Sequence, residues 1–301
     1  MVKEAIPNSP TTFQKNAKGA TDYELPLKRI IAYFDTHIKK KPDWVNALVR
    51  YKASGYIDIN KFLIGEYEVY IDPNDMTSAM KPHLKQTNQK DPSQLFDTWD
   101  KIQSTMCKNL FKSKVVPLID TIKLLDKIID NAPALGLRDL RVYRGMEYDV
   151  QKDLVCGPNG KWHVTFPNFL STSFEWSVSK NFTRETGNMY TLILNPSCKG
   201  VYVHWSMSDE QAKFEDGLID NEKELILPRG CTFELVSLKT RRVKKKKHYK
   251  DIKCEVDSPL FSKHYTLKLV SMPSTKIRAS QYKSFMSGTY AKLLLGHHNL
   301  A

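Results

Sequence analysis

The amino-acid sequence predicts an α+β protein: an N-terminal helical layer packed on a mostly antiparallel two-sheet β-sandwich. Up to about residue 129 the apolar residues recur at the three-and-four spacing of helices. From Leu140 the pattern changes to short runs rich in β-branched and aromatic residues, separated by Gly, Pro and Asn. These runs are numerous and few helices interrupt them, which favours antiparallel pairing over a doubly wound parallel sheet.

Residues 1–24 are polar, carry Pro7, Pro10 and Thr11-Thr12, and show no period, so a loose N-terminal arm is expected. From Pro26, suited to a first helical turn, Ile30, Ile31, Phe34 and Ile38 mark a helix. A second helix is expected over 44–51, ending near Gly55, and Asn60 is expected to cap a short helix through Phe62 and Leu63. After a polar stretch over 72–92, Leu95, Phe96, Trp99, Ile102, Met106 and Leu110 line another helix. Leu118, Ile119, Ile122, Leu125 and Ile128 line one more within 115–129. Strands are expected over 140–143, 162–166, 189–194, 201–205, 224–227, 232–238 and 265–270, with one helix over about 176–182. The predicted organisation is therefore an arm (1–24), one domain over 25–271 with a helical half (25–139) and a β half (140–271), and a basic C-terminal tail (272–301) that either docks as a helix or frays.

The chain has 301 residues, of which 41% are apolar and 26% charged, the composition of a folded rather than a disordered protein. No apolar run approaches the roughly 18 residues that cross a bilayer, and the start Met1-Val2-Lys3-Glu4 lacks a secretory layout, so an intracellular, cytoplasmic protein is expected. Cys107, Cys156, Cys198, Cys231 and Cys254 form no CxxC pair and are odd in number, which predicts reduced, packed cysteines and no metal site. The net charge of +13 is concentrated: Lys239, Arg241, Arg242, Lys244, Lys245, Lys246, Lys247, Lys250 and Lys253 face a single acid, Asp251, in one segment. Such an insert in a final hairpin either attracts an acidic partner, a lipid surface or nucleic acid, or is a solvated loop. Aromatic interleaving suited to base stacking is limited to Tyr249. No GxGxxG or GxxxxGK[ST] run is present, so a Rossmann or P-loop nucleotide site has no support.

Three pieces carry candidate chemistry. Arg144 closes a β-run just before Gly145, where its planar fork can face a cleft and take a phosphate or a hydroxyl. Ser171, Thr172 and Ser173 follow the apolar run through Leu170, and their hydroxyls can orient a carboxylate or cap the helix that begins near Trp176. Glu222 and Glu224 are two apart, which on a strand puts two carboxylates on one face with Lys223 turned away. One carboxylate can then stabilise developing positive charge while the other orients or deprotonates a nucleophile.

Taken in order, Tyr143-Arg144-Gly145, Phe169-Leu170-Ser171-Thr172-Ser173 and Glu222-Lys223-Glu224 with Leu225-Ile226-Leu227-Pro228-Arg229-Gly230 resemble the Arg, Ser-Thr-Ser, Glu-x-Glu signature of toxin-like mono-ADP-ribosyltransferases. The run from Tyr51 through Gly55-Tyr56 and Asn60 to Leu63 is similar to that family's helical half, and the segment from Phe174 to Phe182 to the one after its hydroxyl motif. The resemblance, over about 26–270, implies an NAD cleft and transfer of ADP-ribose from NAD to a target protein with an accessible arginine, without a metal. It implies that Arg144 holds NAD, with Tyr143, Gly145, Thr172 and Ser173 shaping the same cleft. Ser171 then steers the catalytic Glu224 and helps hold the nicotinamide end, and Glu222 engages the acceptor. A glutamate at the Glu222 position is associated in that family with arginine acceptors. The acidic stretch with Asp209, Glu210, Glu215, Asp216 and Asp220 can attract a basic target surface, and Trp205 and Phe214 flank it. For a chain of pathogen or viral origin the implied place is the host cytoplasm or the virion. Two other readings stay open at this level: an NAD glycohydrolase, in which water replaces the acceptor, and a binding module of the same fold that uses residues 239–253 without turnover.

Overall fold

Helices dominate before Leu140 and the large sheet follows it. The computed structural model describes residues 24–71, 105, 108–109, 111–183, 187–203, 223–244, 259–286 and 291–295. The helices are α1 (Glu24–Tyr33), α2 (Pro42–Arg50), α3 (Tyr56–Leu63), α4 (Val116–Asn131), α5 (Trp176–Asn181) and α6 (Thr275–Met286). π-helical turns lie at Phe34–Ile38, Tyr51–Gly55 and Phe111–Val115. Asn60 sits inside α3 and not at its start: Gly55 occupies the N-cap position, and the Asn60 carbonyl accepts from the Ile64 N–H. The helix expected over 93–110 lies almost entirely outside the described residues.

The chain divides into two compact units, residues 1–48 with 126–274, and residues 49–125 with 275–301. The first unit holds a mixed nine-stranded sheet in the order β3-β4-β9-β10-β6-β2-β5-β8-β7. Its strands are β2 (Leu140–Met146), β3 (Val155–Cys156), β4 (Trp162–Phe166), β5 (Leu170–Ser173), β6 (Asn188–Leu194), β7 (Val201–Tyr202), β8 (Glu224–Leu227), β9 (Cys231–Lys244) and β10 (Pro259–Ser271). All neighbours are antiparallel except β6 and β10.

The α+β class is as the sequence predicts, and the strand layout differs from two separate sheets. The groups β3-β4-β9-β10-β6-β2 and β5-β8-β7 meet through one residue pair, Tyr143↔Ser173, so the ladder continues as a single sheet. The join is narrow because only the last residue of the four-residue β5 pairs with β2. Val142, Leu170, Tyr190, Leu192, Leu225, Leu227, Phe233, Tyr265 and Leu267 make the buried core of this unit, joined by Ile30 from α1. Each fully buried apolar side chain of this size contributes about 1.5–3 kcal/mol.

The basic segment is less of a loop than its charge predicts. Residues through Lys244 continue β9 and pair with β10 from Pro259 onward, so Lys239, Arg241, Arg242 and Lys244 stand on a two-stranded ribbon; residues 245–258 lie outside the described residues.

The second unit contains β1 (Tyr67–Ile71), paired in parallel with β11 (Ala291–Leu295). Phe285 of α6 is 1% exposed and meets Phe62 edge-on at 5.4 Å between ring centres. The C-terminal stretch read from sequence as a tail thus supplies a helix and a strand to this unit.

Gly145 shows how local packing fixes one residue of the candidate site. A Cβ there would stand 2.0 Å from the Ser179 carbonyl oxygen of α5, a backbone atom that cannot swing aside. Gly145→Ala is therefore expected to lower stability by about 1–3 kcal/mol through overpacking, seen as a lower urea midpoint at unchanged slope.

Candidate functional site

Three neighbouring strands bring the sequence-predicted residues together. Ser173 of β5 is the register partner of both Tyr143 in β2 and Glu224 in β8, and Ser171 pairs with Ile226. Arg144 Nη1 donates to the Ser171 carbonyl, and the Ser171 hydroxyl donates to Glu224 Oε1. Arg144 is half-buried, and Glu224 is 6% exposed at the start of a strand buried along its whole length. A guanidinium and a carboxylate are thus held on two sides of one serine, the first by its carbonyl and the second by its hydroxyl.

The hydroxyl cluster itself is strand β5. Thr172 turns away from Ser171 and Ser173 by strand alternation, and its buried hydroxyl donates to the Leu225 carbonyl at 2.7 Å, tying β5 to β8. Ser173 Oγ accepts from the Glu175 N–H at 3.0 Å in the turn that leads into α5. The capping expected of Ser173 is therefore a tie one step before the helix, where Glu175 stands at the N-cap without a side-chain cap bond of its own.

Tyr143 and Gly145 have packing surroundings. Tyr143 is 3% exposed and meets Trp176 of α5 edge-on at 5.5 Å, and burial pushes its phenol up. Trp176 also meets His264 at 5.0 Å, and His264 Nε2 lies 3.0 Å from Thr191 Oγ1. Burial, with Lys239 adding to it, lowers the His264 pKa and favours the neutral ring. These residues let α5 seat on the strand that carries Arg144.

The alternation that placed Glu222 and Glu224 on one face does not hold at Lys223. β8 begins at Glu224, and Lys223 has φ 43°, outside any extended conformation. Glu222 lies outside the described residues, as do Asp209, Glu210, Glu215, Asp216, Asp220, Trp205 and Phe214.

Sequence reasoning missed the ion pair of Arg229 with Asp126. Arg229 Nη2 and Nε reach Asp126 Oδ2 at 2.7 and 3.0 Å, and the two side chains are 3% and 4% exposed. A signal existed: Asp126 falls four residues after Ile122 and three before Ile129, on the apolar face of α4, where a carboxylate requires a buried partner. Also missed was the cluster behind β2. There Asp149 is bonded by Lys263 at 2.6 Å and by the Tyr265 hydroxyl, and Tyr265 stacks on Tyr190 at 4.9 Å. Burial alone would raise the Asp149 carboxyl, but the bonds from Lys263, Tyr265 and the Gln151 N–H outweigh it and hold the carboxyl below its usual range. The cluster fastens the segment that follows Arg144.

Of the cysteines, Cys198 and Cys231 are buried and Cys156 is exposed; burial pushes Cys198 up to about 12. Cys107 and Cys254 lie outside the described residues. Among the described residues no group of His, Cys, Asp and Glu could hold a metal ion, and no helix is long and apolar enough to cross a membrane.

No family model matches the chain, and no curated protein matches its sequence. Among solved structures it is similar to the Vis toxin, an ADP-ribosyltransferase from Vibrio splendidus, at 13% identity over 84% of this chain and 88% of that one, with a TM-score of 0.39. It is also similar to BECa, an ADP-ribosylating toxin of C. perfringens solved with NADH, at 12% identity over 82% of this chain and 48% of that one, TM-score 0.42. The enzymatic component C2-I of the C2 toxin from Clostridium botulinum matches at 15% identity over 79% of this chain and 46% of that one, TM-score 0.40. Similarity at this level leaves the functional reading to rest on the residues of the site.

Proposed function

We propose that this chain is an NAD-dependent mono-ADP-ribosyltransferase that transfers ADP-ribose from NAD to protein arginine and releases nicotinamide. The observation that carries the reading is the contact series from the Arg144 guanidinium through Ser171 to the Glu224 carboxylate. The sequence resemblance supports the same assignment. NAD calls for two opposite charges along its length, a cation at the central diphosphate and an anion beside the nicotinamide ribose, and Arg144 and Glu224 meet on a single serine between them.

Arg144 binds the diphosphate with a charge that persists at any working pH. The bond between ribose C1′ and the nicotinamide nitrogen then breaks, its electron pair leaving with nicotinamide, and positive charge develops on C1′ and the ring oxygen. Glu224 stabilises that charge electrostatically, as a carboxylate does in glycoside hydrolysis. The Ser171 hydroxyl fixes the carboxylate, so little reorganisation is needed as the charge appears. An arginine nitrogen of the target bonds to C1′, and Glu222 takes the proton that the guanidinium loses. Thr172 and Ser173 hold β5 in register beneath this chemistry. Partner contact is assigned to the basic segment 239–253, whose charge suits an acidic surface.

The acceptor assignment is tested by Glu222→Gln. With labelled NAD and a cell lysate, labelling of protein arginine is expected to fall about a hundredfold while nicotinamide release stays measurable. Arginine labelling at the wild-type rate would refute the role of Glu222, and nicotinamide release without any protein labelling by the wild type would favour the glycohydrolase.

A further inference from the structure

The backbone immediately before Glu224 departs from a strand. Lys223 has φ 43°, in the left-handed region that side chains other than Gly, Asn and Asp adopt infrequently. Two ties reach this residue from the exit of β5. The Phe174 N–H donates to the Lys223 carbonyl at 3.2 Å, and the Lys223 ammonium pairs with the Glu175 carboxylate. The Glu175 N–H in turn donates to Ser173 Oγ at 3.0 Å, and Ser173 is the register partner of Glu224. The contacts therefore close a circuit: Glu224 to Ser173 across the ladder, Ser173 to Glu175, Glu175 to Lys223, and Lys223 to Glu224 along the chain.

That circuit sets the direction from which the chain enters β8. Across the ladder Glu224 is held by Ser173 and by the Val203 N–H, which donates to its carbonyl at 3.2 Å, and on the side where the chain arrives its direction is set by Lys223, which precedes the first ladder pair of β8. If Lys223 relaxed to an extended conformation, the Phe174 N–H and the Glu175 carboxylate would lose their partners and Glu224 would turn relative to Ser171. We propose that Lys223 is a positioning residue for Glu224, acting through its left-handed backbone. The proposal rests on the role given to Glu224 above. A glycine would reach the same φ but bring no ammonium for Glu175 and more freedom to leave the conformation. The ion pair, with side chains 42% and 39% exposed, contributes little by itself, so the backbone carries the effect.

The test is a series at one position in the full chain: Lys223→Gly, Lys223→Asn, Lys223→Ala and Lys223→Val. Nicotinamide release from NAD gives kcat and KM, and thermal unfolding is recorded for each variant. All four remove the ammonium, but they differ in tolerance of positive φ. Gly and Asn are expected to keep kcat within about threefold of wild type, and Val, whose branched Cβ opposes that φ, to lose about tenfold, with KM for NAD within about twofold and Ala between. Should Val fail to fold, the comparison of Asn with Ala decides. Equal rates across the series, an equal loss in all four, or losses that follow the unfolding temperature would overturn the proposal. A wild-type chain that releases no nicotinamide would instead overturn the role of Glu224, and the Lys223 proposal with it.

Discussion

Glu224→Gln is expected to lower nicotinamide release by about a hundred- to a thousandfold while leaving NAD affinity within about threefold. The substitution keeps the size of the side chain and an oxygen that can accept from the Ser171 hydroxyl, so β8 and its pairing with β5 persist. Only the negative charge is lost. That charge matters most when positive charge moves from the nicotinamide ring onto the ribose beside it, so the loss falls mainly on kcat rather than on binding. Its effect is large because Glu224 is 6% exposed, and water screens it poorly. NAD binding, assigned to Arg144, stays in place. Steady-state kinetics with an equilibrium binding measurement checks both halves, and a variant with wild-type kcat would remove Glu224 from the chemistry.

Asp126→Ala is expected to destabilise the chain by about 3–5 kcal/mol, the cost of leaving a buried guanidinium without its counter-charge. Arg229 is 2% exposed and follows β8 by two residues, so its grip on α4 anchors the far end of the strand that begins with Glu224. The double substitution Asp126→Leu with Arg229→Met should recover most of that loss, since it removes the desolvation cost of both charges together. Urea unfolding read from the β signal gives the comparison. A single Asp126→Ala loss below about 1 kcal/mol would show that the Arg229 charge finds water or another partner.

The helices before Leu140 and the strands of the large sheet after it were legible from hydrophobic period, whereas β1 over Tyr67–Ile71 was not, because helix and strand periods differ strongly only in runs long enough to show them. Arg144, Ser171 and Glu224 were legible from order and residue type, and the structure places them on adjacent strands. Their contact could not be read from spacing, since it depends on β2, β5 and β8 lying side by side although other strands separate them along the chain. The same-face argument for Glu222 and Glu224 assumed an extended Lys223, and a left-handed residue has no signature in a Glu-Lys-Glu run. Tyr143 and Gly145 flank Arg144 in sequence, and each packs against α5, Tyr143 against Trp176 and Gly145 against the Ser179 carbonyl. The extension of β9 to Lys244 was hidden by its charge, because a run of Lys and Arg reads as solvated loop whether or not its backbone pairs. The Asp126 partnership joins residues 103 apart in sequence, and only the burial demanded by the apolar face of α4 pointed to it.

The most direct measurement is the release of nicotinamide from NAD by the purified chain, wild type beside Arg144→Ala and Glu224→Gln. The account predicts release by the wild type, a raised KM for NAD in Arg144→Ala, and loss of kcat in Glu224→Gln. Release that both variants retain at wild-type KM and kcat, or none from the wild type with NAD and a protein acceptor present, would contradict it.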